Sequence, residues 1–336
     1  MASQTAIVSI ICATRNRAST LERALQSIHR QTFEDFEVLV LDDGSDELTF
    51  AEYSRIWAAL DERFVVHKIR PAGARGGGPS QARNHGIRLA KGMFVAFLDD
   101  DDWWVKDDHL AVAIEAMQRT GADYYFANMQ GIRDEETVIP DWYPDSPQLM
   151  QGAVVNDHPR VYEVPLPGFV AVMQHHFVHP DNSIVRRELL VKVGGFFERV
   201  IFAEDYDLMM RIADAAGRIL YRPDVVAKYR LPVADSSSST ESMQDQRLQI
   251  LSCTQHVRAK CQQPLIRRCA RAREGWVLRE LASDSFTDRR PTAAISFAWQ
   301  AVCIYPTVGA IVFLAKSLGM LAVQLPSSRT SPAGSR

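Results

Sequence analysis

A chain of 336 residues with 46% hydrophobic composition can bury one large core and a smaller appendage, because single cores stop growing near ~250–300 residues. Its 38 Lys and Arg against 41 Asp and Glu leave a formal charge of -3, which excludes a whole-chain attraction for nucleic acid or anionic lipid, so any charge-based function must be local. Five cysteines (Cys12, Cys253, Cys261, Cys269, Cys303) form an odd set without a C-x-x-C pair, which argues against a disulfide framework or a structural zinc site.

The N-terminus, MASQTAIVSIICATRNR, has no basic segment ahead of a short apolar run, so a cytoplasmic catalytic domain is expected. Residues 6–12 are continuously apolar, the pattern of a strand buried on both faces in a parallel sheet. Ser19 with Glu22 reads as a capping box, and Leu21, Leu25 and Ile28 share one helical face, so a helix follows directly. The rhythm repeats with strand 36–41 ending in Asp42-Asp43-Gly44, helix 50–60 and strand 64–69. The glycine-rich loop 72–78 comes next, then a helix from Pro79 to Lys91 and strand 93–98 running into Asp99-Asp100-Asp101-Asp102. The first 130 residues are thus α/β with parallel strands and helices on both faces. A helix carrying Leu110, Ile114 and Met117 closes at Gly121, and strand 123–128 follows. Residues 131–180, rich in proline and aromatics, read as a long, partly ordered loop that shapes a substrate site.

Order returns with strand 182–187, a short helix to Val193, the Gly194-Gly195 turn, and a helix from Glu204 to Ala216 ended by Gly217. The serine run 236–239 reads as a hinge, and 327–336 as a disordered tail. Residues 240–326 form a helical C-terminal region with a basic stretch at 258–273 and an apolar one at 308–325. The latter is at the lower limit for a membrane span, so a packed or interfacial helix is expected. Cys253, Cys261 and Cys269, spaced by eight, suit one buried helix face. The first 235 residues form the catalytic domain, 1–130 its donor half and 131–235 its acceptor half.

In an open parallel sheet, ligands bind at the carboxyl ends of the strands. Ala13-Thr14-Arg15-Asn16, Asp42-Asp43-Gly44, the glycine loop with Ala82-Arg83-Asn84, and the aspartate run all lie there. Four adjacent carboxylates after a buried strand are costly unless a cation or several donors compensate, and hard oxygen ligands select Mn²⁺ or Mg²⁺. Capping of the following helix is the plainer alternative, but one aspartate would serve for that.

The strings VSIICATRNRASTLERALQSIHRQTFEDFEVLVLDDGSDE, QARNHGIRLAKGMFVAFLDDDDWW and FAEDYDLMMRIA together resemble family 2 of the inverting glycosyltransferases with the GT-A fold, over residues 6–230. The resemblance implies a GT-A type sheet, mixed but mainly parallel and flanked by helices, with a helical C-terminal extension. It implies a nucleotide-sugar donor, a glycan, lipid-linked or other hydroxyl acceptor, and a role in polysaccharide or surface-glycan synthesis. A UDP- or dTDP-sugar is the first guess, since an aspartate near the base suits a pyrimidine imide N–H. Nucleotide-sugar contacts fall to Ala13, Thr14, Asn16, Asp43, Arg83, Asp99 and Asp100, and the metal to Asp101. Asp205 of the Glu204-Asp205 pair is implied as catalytic base, although the macrodipole alone favours acids in a first helical turn. His175, His176 and His179, with Trp103, are candidates for acceptor binding.

Two departures stand out. Ala13 replaces a common proline, and Leu231-Pro232-Val233-Ala234 replaces a segment that contains histidine in many relatives, which leaves a supplementary histidine ligand unassigned. Peripheral contact with the cytoplasmic face of a membrane through the C-terminal helices, or a homo-oligomer, is compatible with this reading. A non-catalytic nucleotide-binding module on the same scaffold is the alternative. An NAD-dependent oxidoreductase would need G-x-G-x-x-G after the first strand, where Ala13-Thr14-Arg15-Asn16 stands.

Overall fold

The computed structural model describes residues 6–144, 146–232 and 242–324; the expected hinge at 236–239, Val233-Ala234 and the expected tail at 327–336 lie outside the described residues. The N-terminal half alternates strand and helix as expected: β1 (Val8–Thr14), α1 (Ala18–His29), β2 (Phe36–Asp42), α2 (Glu47–Trp57), β3 (Phe64–Lys68), α3 (Pro79–Leu89) and β4 (Phe94–Phe97). These strands pair in parallel in the order β3-β2-β1-β4. Val8, Ile10, Ile11 and Cys12 are buried, which is why β1 reads as an unbroken apolar run. Leu21, Leu25 and Ile28 of α1 are fully buried, each adding roughly 1.5–3 kcal/mol of apolar transfer.

The capping box does not form. Arg17 is the N-cap, Ser19 sits inside the first turn, and the Glu22 carboxylate accepts from Arg55 of α2 instead. The second helix begins before residue 50, because Asp46 caps it by accepting the Thr49 N–H.

The second half departs further from expectation. After β5 (Trp103–Trp104) and α4 (His109–Thr120), closed by Gly121 at φ 69°, come β6 (Tyr124–Arg133), β7 (Glu136–Ile139), β8 (Val154–Asp157), β9 (Arg160–Glu163) and α5 (Leu166–His175). Region 131–180 is therefore largely ordered rather than a long loop. Its prolines open helices instead of breaking them, as at α5, and its aromatics Trp142, Tyr143 and Phe169 are buried. Then follow β10 (Ser183–Arg186), α6 (Arg187–Val193), α7 (Glu204–Ala215) and β11 (Ile219–Arg230). β10 inserts antiparallel between β4 and β6, β11 runs parallel to β6, and β9 and β8 complete the far edge. The result is a mixed sheet, parallel through its N-terminal half, flanked by helices.

Four further helices follow: α8 (Met243–Lys260), α9 (Pro264–Thr287), α10 (Pro291–Ile304) and α11 (Val308–Gln324). Val257, Cys261, Ile266 and Cys269 join the main core, so α8 and α9 are packed onto the sheet domain. The three cysteines are buried as expected but span two helices and the turn between them, not one helix face. Asp207 of α7 is fully buried and pairs with Arg211 and with His256 of α8 at 2.7 Å, a structural position.

Candidate active site

The carboxyl ends of β1, β2 and β4 meet in one cleft whose loops are tied to one another. Thr14 O accepts the Asp43 N–H at 3.0 Å. Asn16, in the left-handed region at φ 56°, donates its N–H to Ser45 Oγ and accepts the Asp46 N–H on Oδ1, each at 2.8 Å. Asp42 makes the expected Asx turn, with Oδ1 accepting from the Gly44 and Ser45 N–H groups. Asp43 folds the glycine loop back over this turn: Oδ2 accepts the Gly77 and Gly78 N–H groups at 2.6 and 2.9 Å, and Oδ1 accepts Arg70 Nε at 2.7 Å. Ala13 lies half-buried at the end of β1.

The aspartate run splits its charges among separate partners. Asp99 receives Arg83 Nη2 on both oxygens, at 2.6 and 2.7 Å. Asp100 and Asp101 share Arg17 Nη1, at 3.0 and 2.7 Å. Asp102 Oδ1 accepts the Arg230 N–H at 2.6 Å, while its buried Oδ2 has no donor. Burial, then the Asp101 charge, pushes the Asp100 carboxyl up to about 7. Burial, then Asp181, holds Asp102 well above the usual carboxylate range.

Arg83, itself buried in α3, also reaches Glu204 Oε1 at 3.4 Å and so connects the aspartate run to the start of α7. Ala203, the N-cap, adopts φ 63°, a conformation costly for a residue with a Cβ, and thereby turns the first residues of α7 into the cleft. Burial and the neighbouring Asp205 raise Glu204 to about 8. Asp205 is likewise raised, chiefly by burial, and its Oδ1 has no hydrogen-bond partner.

Of the three candidate histidines, only His179 joins this group. Its Nδ1 lies 3.4 Å from Asp181 Oδ2 and its Nε2 lies 3.8 Å from Asp205 Oδ2. Burial would lower its pKa, but Asp181 and then Asp205 outweigh that and raise it to about 9. Burial opposes ionisation of Asp181, but His179, a hydrogen bond from Asp102 and the Arg83 charge together outweigh it and lower its pKa to about 2. His175 is exposed at the end of α5, and His176 packs edge-on against Tyr143. Trp103 is buried in β5 beneath the Arg23 guanidinium, 3.2 Å from the ring centroid.

Arg17 and Asp181 escaped the sequence reading. Asp181 Oδ1 accepts the Asp99 N–H at 3.0 Å, a contact created by the insertion of β10 beside β4. Asp99, Asp102, His179 and Asp181 offer ligand atoms that all lie within 4.8 Å of one another, whereas Asp101 sits on Arg17. Asp102 and Asp181 face each other as two buried carboxylates, each with an Oδ2 that no other residue's donor reaches, an arrangement that a shared proton or a cation relieves. Three carboxylates and an imidazole therefore fit a divalent ion with mixed oxygen and nitrogen coordination.

The family model for glycosyl transferase family 2 matches residues 9–194. The succinoglycan biosynthesis protein ExoW of Rhizobium meliloti (strain 1021) is 35% identical over 187 residues, covering 55% of this chain and 56% of ExoW. WfaP of Escherichia coli, a UDP-Glc:alpha-D-GlcNAc-diphosphoundecaprenol beta-1,3-glucosyltransferase, is 28% identical over 149 residues, covering 44% of this chain and 55% of WfaP. These matches span about half the length of either relative. Among solved structures, S. aureus TarS (residues 1–349) with UDP-GlcNAc superposes with a TM-score of 0.65 at 20% identity, over 89% of this chain and 81% of that one. The mannosyltransferase PcManGT of Pyrobaculum calidifontis, in complex with GDP-Man and Mn2+, gives 0.53 at 20% identity, over 95% and 81%. At that identity the structures establish a shared fold, and the family match decides the affiliation: the chain belongs to glycosyl transferase family 2.

Proposed function

We propose that this chain is a glycosyltransferase that moves a sugar from a nucleotide-diphosphate donor to an acceptor hydroxyl with inversion, in the synthesis of a polysaccharide or surface glycan. The observation that carries the reading is the convergence of the Glu204-Asp205 pair with Asp99, Asp102, His179 and Asp181 in one cleft at the carboxyl end of the sheet. The names of WfaP and TarS favour a uridine nucleotide and, through WfaP, a lipid-linked diphosphate acceptor.

In this reading Asp99, Asp102 and Asp181, with His179 once it has released its proton, would hold Mn²⁺ or Mg²⁺, which when bound neutralises charge on the leaving diphosphate. The Ala13, Thr14 and Asp43 loops line the base pocket, and Arg83 steers the phosphates while fixing Asp99 and Glu204. Asp205 accepts the proton of the acceptor hydroxyl as that oxygen attacks the anomeric carbon opposite the diphosphate, so one displacement inverts the centre and no covalent enzyme intermediate is needed. Its raised pKa makes it a stronger base than an exposed aspartate.

Calorimetric titration of UDP, TDP and GDP, with and without Mn²⁺, tests the donor site. One nucleotide binding only with metal is expected. A folded protein that binds none of them under either condition would overturn the reading.

A further inference from the structure

The C-terminal helices carry a charge distribution that the catalytic reading does not use. Residues 258–319 contain ten Lys and Arg but four Asp and Glu, an excess of six in a chain whose net charge is -3. All four acids are already paired: Glu274 with Arg258 at 2.8 Å, Glu280 with Arg247 at 3.0 Å, Asp284 with Arg247, and Asp288 with Arg290. Arg267, Arg268 and Arg271 are exposed on the first turns of α9, where no acidic partner meets them among the described residues. Arg258, Gln262 and Pro264 complete a basic cleft with Arg267 and Arg271 at the α8–α9 turn.

This basic end continues into an apolar surface. Leu265, Arg268, Trp276 and Arg279 follow one another at helical spacing along the outward side of α9. The Arg279 guanidinium reaches Gly309, 3.4 Å from where a Cβ would stand, so the stripe abuts the start of α11. There Val308, Ile311, Val312 and Leu318 continue outward, with Val308 81% exposed, and Lys316 stands exposed beside them. Trp299 on the neighbouring α10 is 59% exposed. Among the described residues these large apolar side chains on α9 and α11 are exposed close to one another, and such grouped exposure marks an interaction surface.

From this we infer that α9 and α11 form a docking surface for an anionic lipid bilayer, with the arginines of α9 at the phosphate level and the apolar side of α11 in the acyl boundary. Charge complementarity chooses this occupant: a second copy of the chain would bring the same uncompensated arginines against themselves, whereas anionic headgroups neutralise them. The mode is interfacial. Among the described residues no helix is long and apolar enough to cross a membrane, and the 17 residues of α11 rise roughly 25 Å against a hydrocarbon core of about 30 Å. The inference stands apart from the catalytic reading, since binding is read without turnover.

The test is co-sedimentation of the full chain with vesicles of phosphatidylcholine, with and without phosphatidylglycerol, at low and high salt. Binding to the anionic vesicles alone, weakened by salt, is expected. Combined Arg267→Glu, Arg268→Glu and Arg271→Glu should weaken it on the order of a hundredfold, and Ile311→Asp with Val312→Asp should abolish what remains. All these positions are exposed, so unchanged thermal unfolding and unchanged nucleotide binding are the controls. No binding to anionic vesicles overturns the proposal. So does equal binding to neutral ones, or a dimer seen by light scattering that Ile311→Asp breaks while vesicle binding stays absent.

Discussion

His179 and Asp205 face each other across the cleft, Nε2 to Oδ2 at 3.8 Å, with the far side of the imidazole turned to Asp181. The imidazole lies between two buried carboxylates without a tight bond to Asp205, whose Oδ1 has no hydrogen-bond partner of its own. A general base needs an oxygen left open to a proton, and Oδ1 of Asp205 is the candidate. Asp205→Asn, which keeps size and polarity, is therefore expected to lower turnover by about 10²–10⁴ while metal-dependent nucleotide binding persists. Single-turnover rates beside calorimetry separate the two. Near-parental turnover would remove Asp205 from the base role.

The metal assignment divides two aspartates that sequence reasoning ranked differently. Asp101 follows from the motif, but its Oδ2 sits 2.7 Å from Arg17; Asp181 belongs to the four-residue cluster. Asp181→Asn keeps an oxygen for the Asp99 N–H and removes the charge. It should weaken Mn²⁺ binding by about tenfold or more, while Asp101→Asn leaves it near the parent value. The reverse pattern in a calorimetric or EPR titration would return the site to the aspartate run itself.

What the sequence made legible was the part in which burial is local. A strand covered on both faces must be apolar throughout, so β1, β2 and β4 announce themselves, and each ends at a residue type that needs an explanation. Asp43 and the aspartate run were visible because polar residues directly after such strands are unusual. Region 131–180 was not, because β8 and β9 have little periodicity of their own and are ordered by pairing with each other and with β11. Asp181 was hidden for a topological reason. Only when β10 enters antiparallel between β4 and β6 does the turn before it arrive beside Asp99, and no local pattern encodes that insertion. The capping box failed because α1 starts with Arg17 at the N-cap, which puts Ser19 inside the first turn and leaves Glu22 to pair with Arg55 on a different helix.

Gly86 shows how closely α3 rests on the sheet. A Cβ there would stand 2.6 Å from Ile11 Cγ2 and 3.0 Å from Leu41 Cδ2, and both side chains are buried too completely to yield. Gly86→Ala gains about 1 kcal/mol of helix propensity but incurs overpacking of roughly 1–3 kcal/mol, so a net loss of about 1 kcal/mol is expected. Because α3 also carries Arg83, activity should fall further than stability does. Urea unfolding alongside rate measurement checks both, and a variant as stable as the parent would contradict the close packing.

His109 sets an acid limit that is independent of the catalytic cleft. It is fully buried at the start of α4, neither ring nitrogen has a hydrogen-bond partner, and Trp104 and Tyr125 flank it with centroids at 5.0 and 5.9 Å. Burial, then the nearby Arg222 charge, lowers its pKa from 6.5 to about 3. The unfolded chain therefore takes up a proton near pH 6.5 that the folded chain refuses until about pH 3. Between those values the unfolded state binds more protons, so stability is fully present above the upper value and is lost as pH falls. By about pH 4.5 the loss from this one group is roughly 3 kcal/mol. Other groups titrate in the same range, so the informative quantity is a difference. His109→Phe keeps an aromatic of similar volume against the same neighbours and cannot titrate. Its unfolding free energy should decline less steeply than the parent's between pH 7 and 4.5. Parallel declines would mean that the imidazole is not held neutral in the fold.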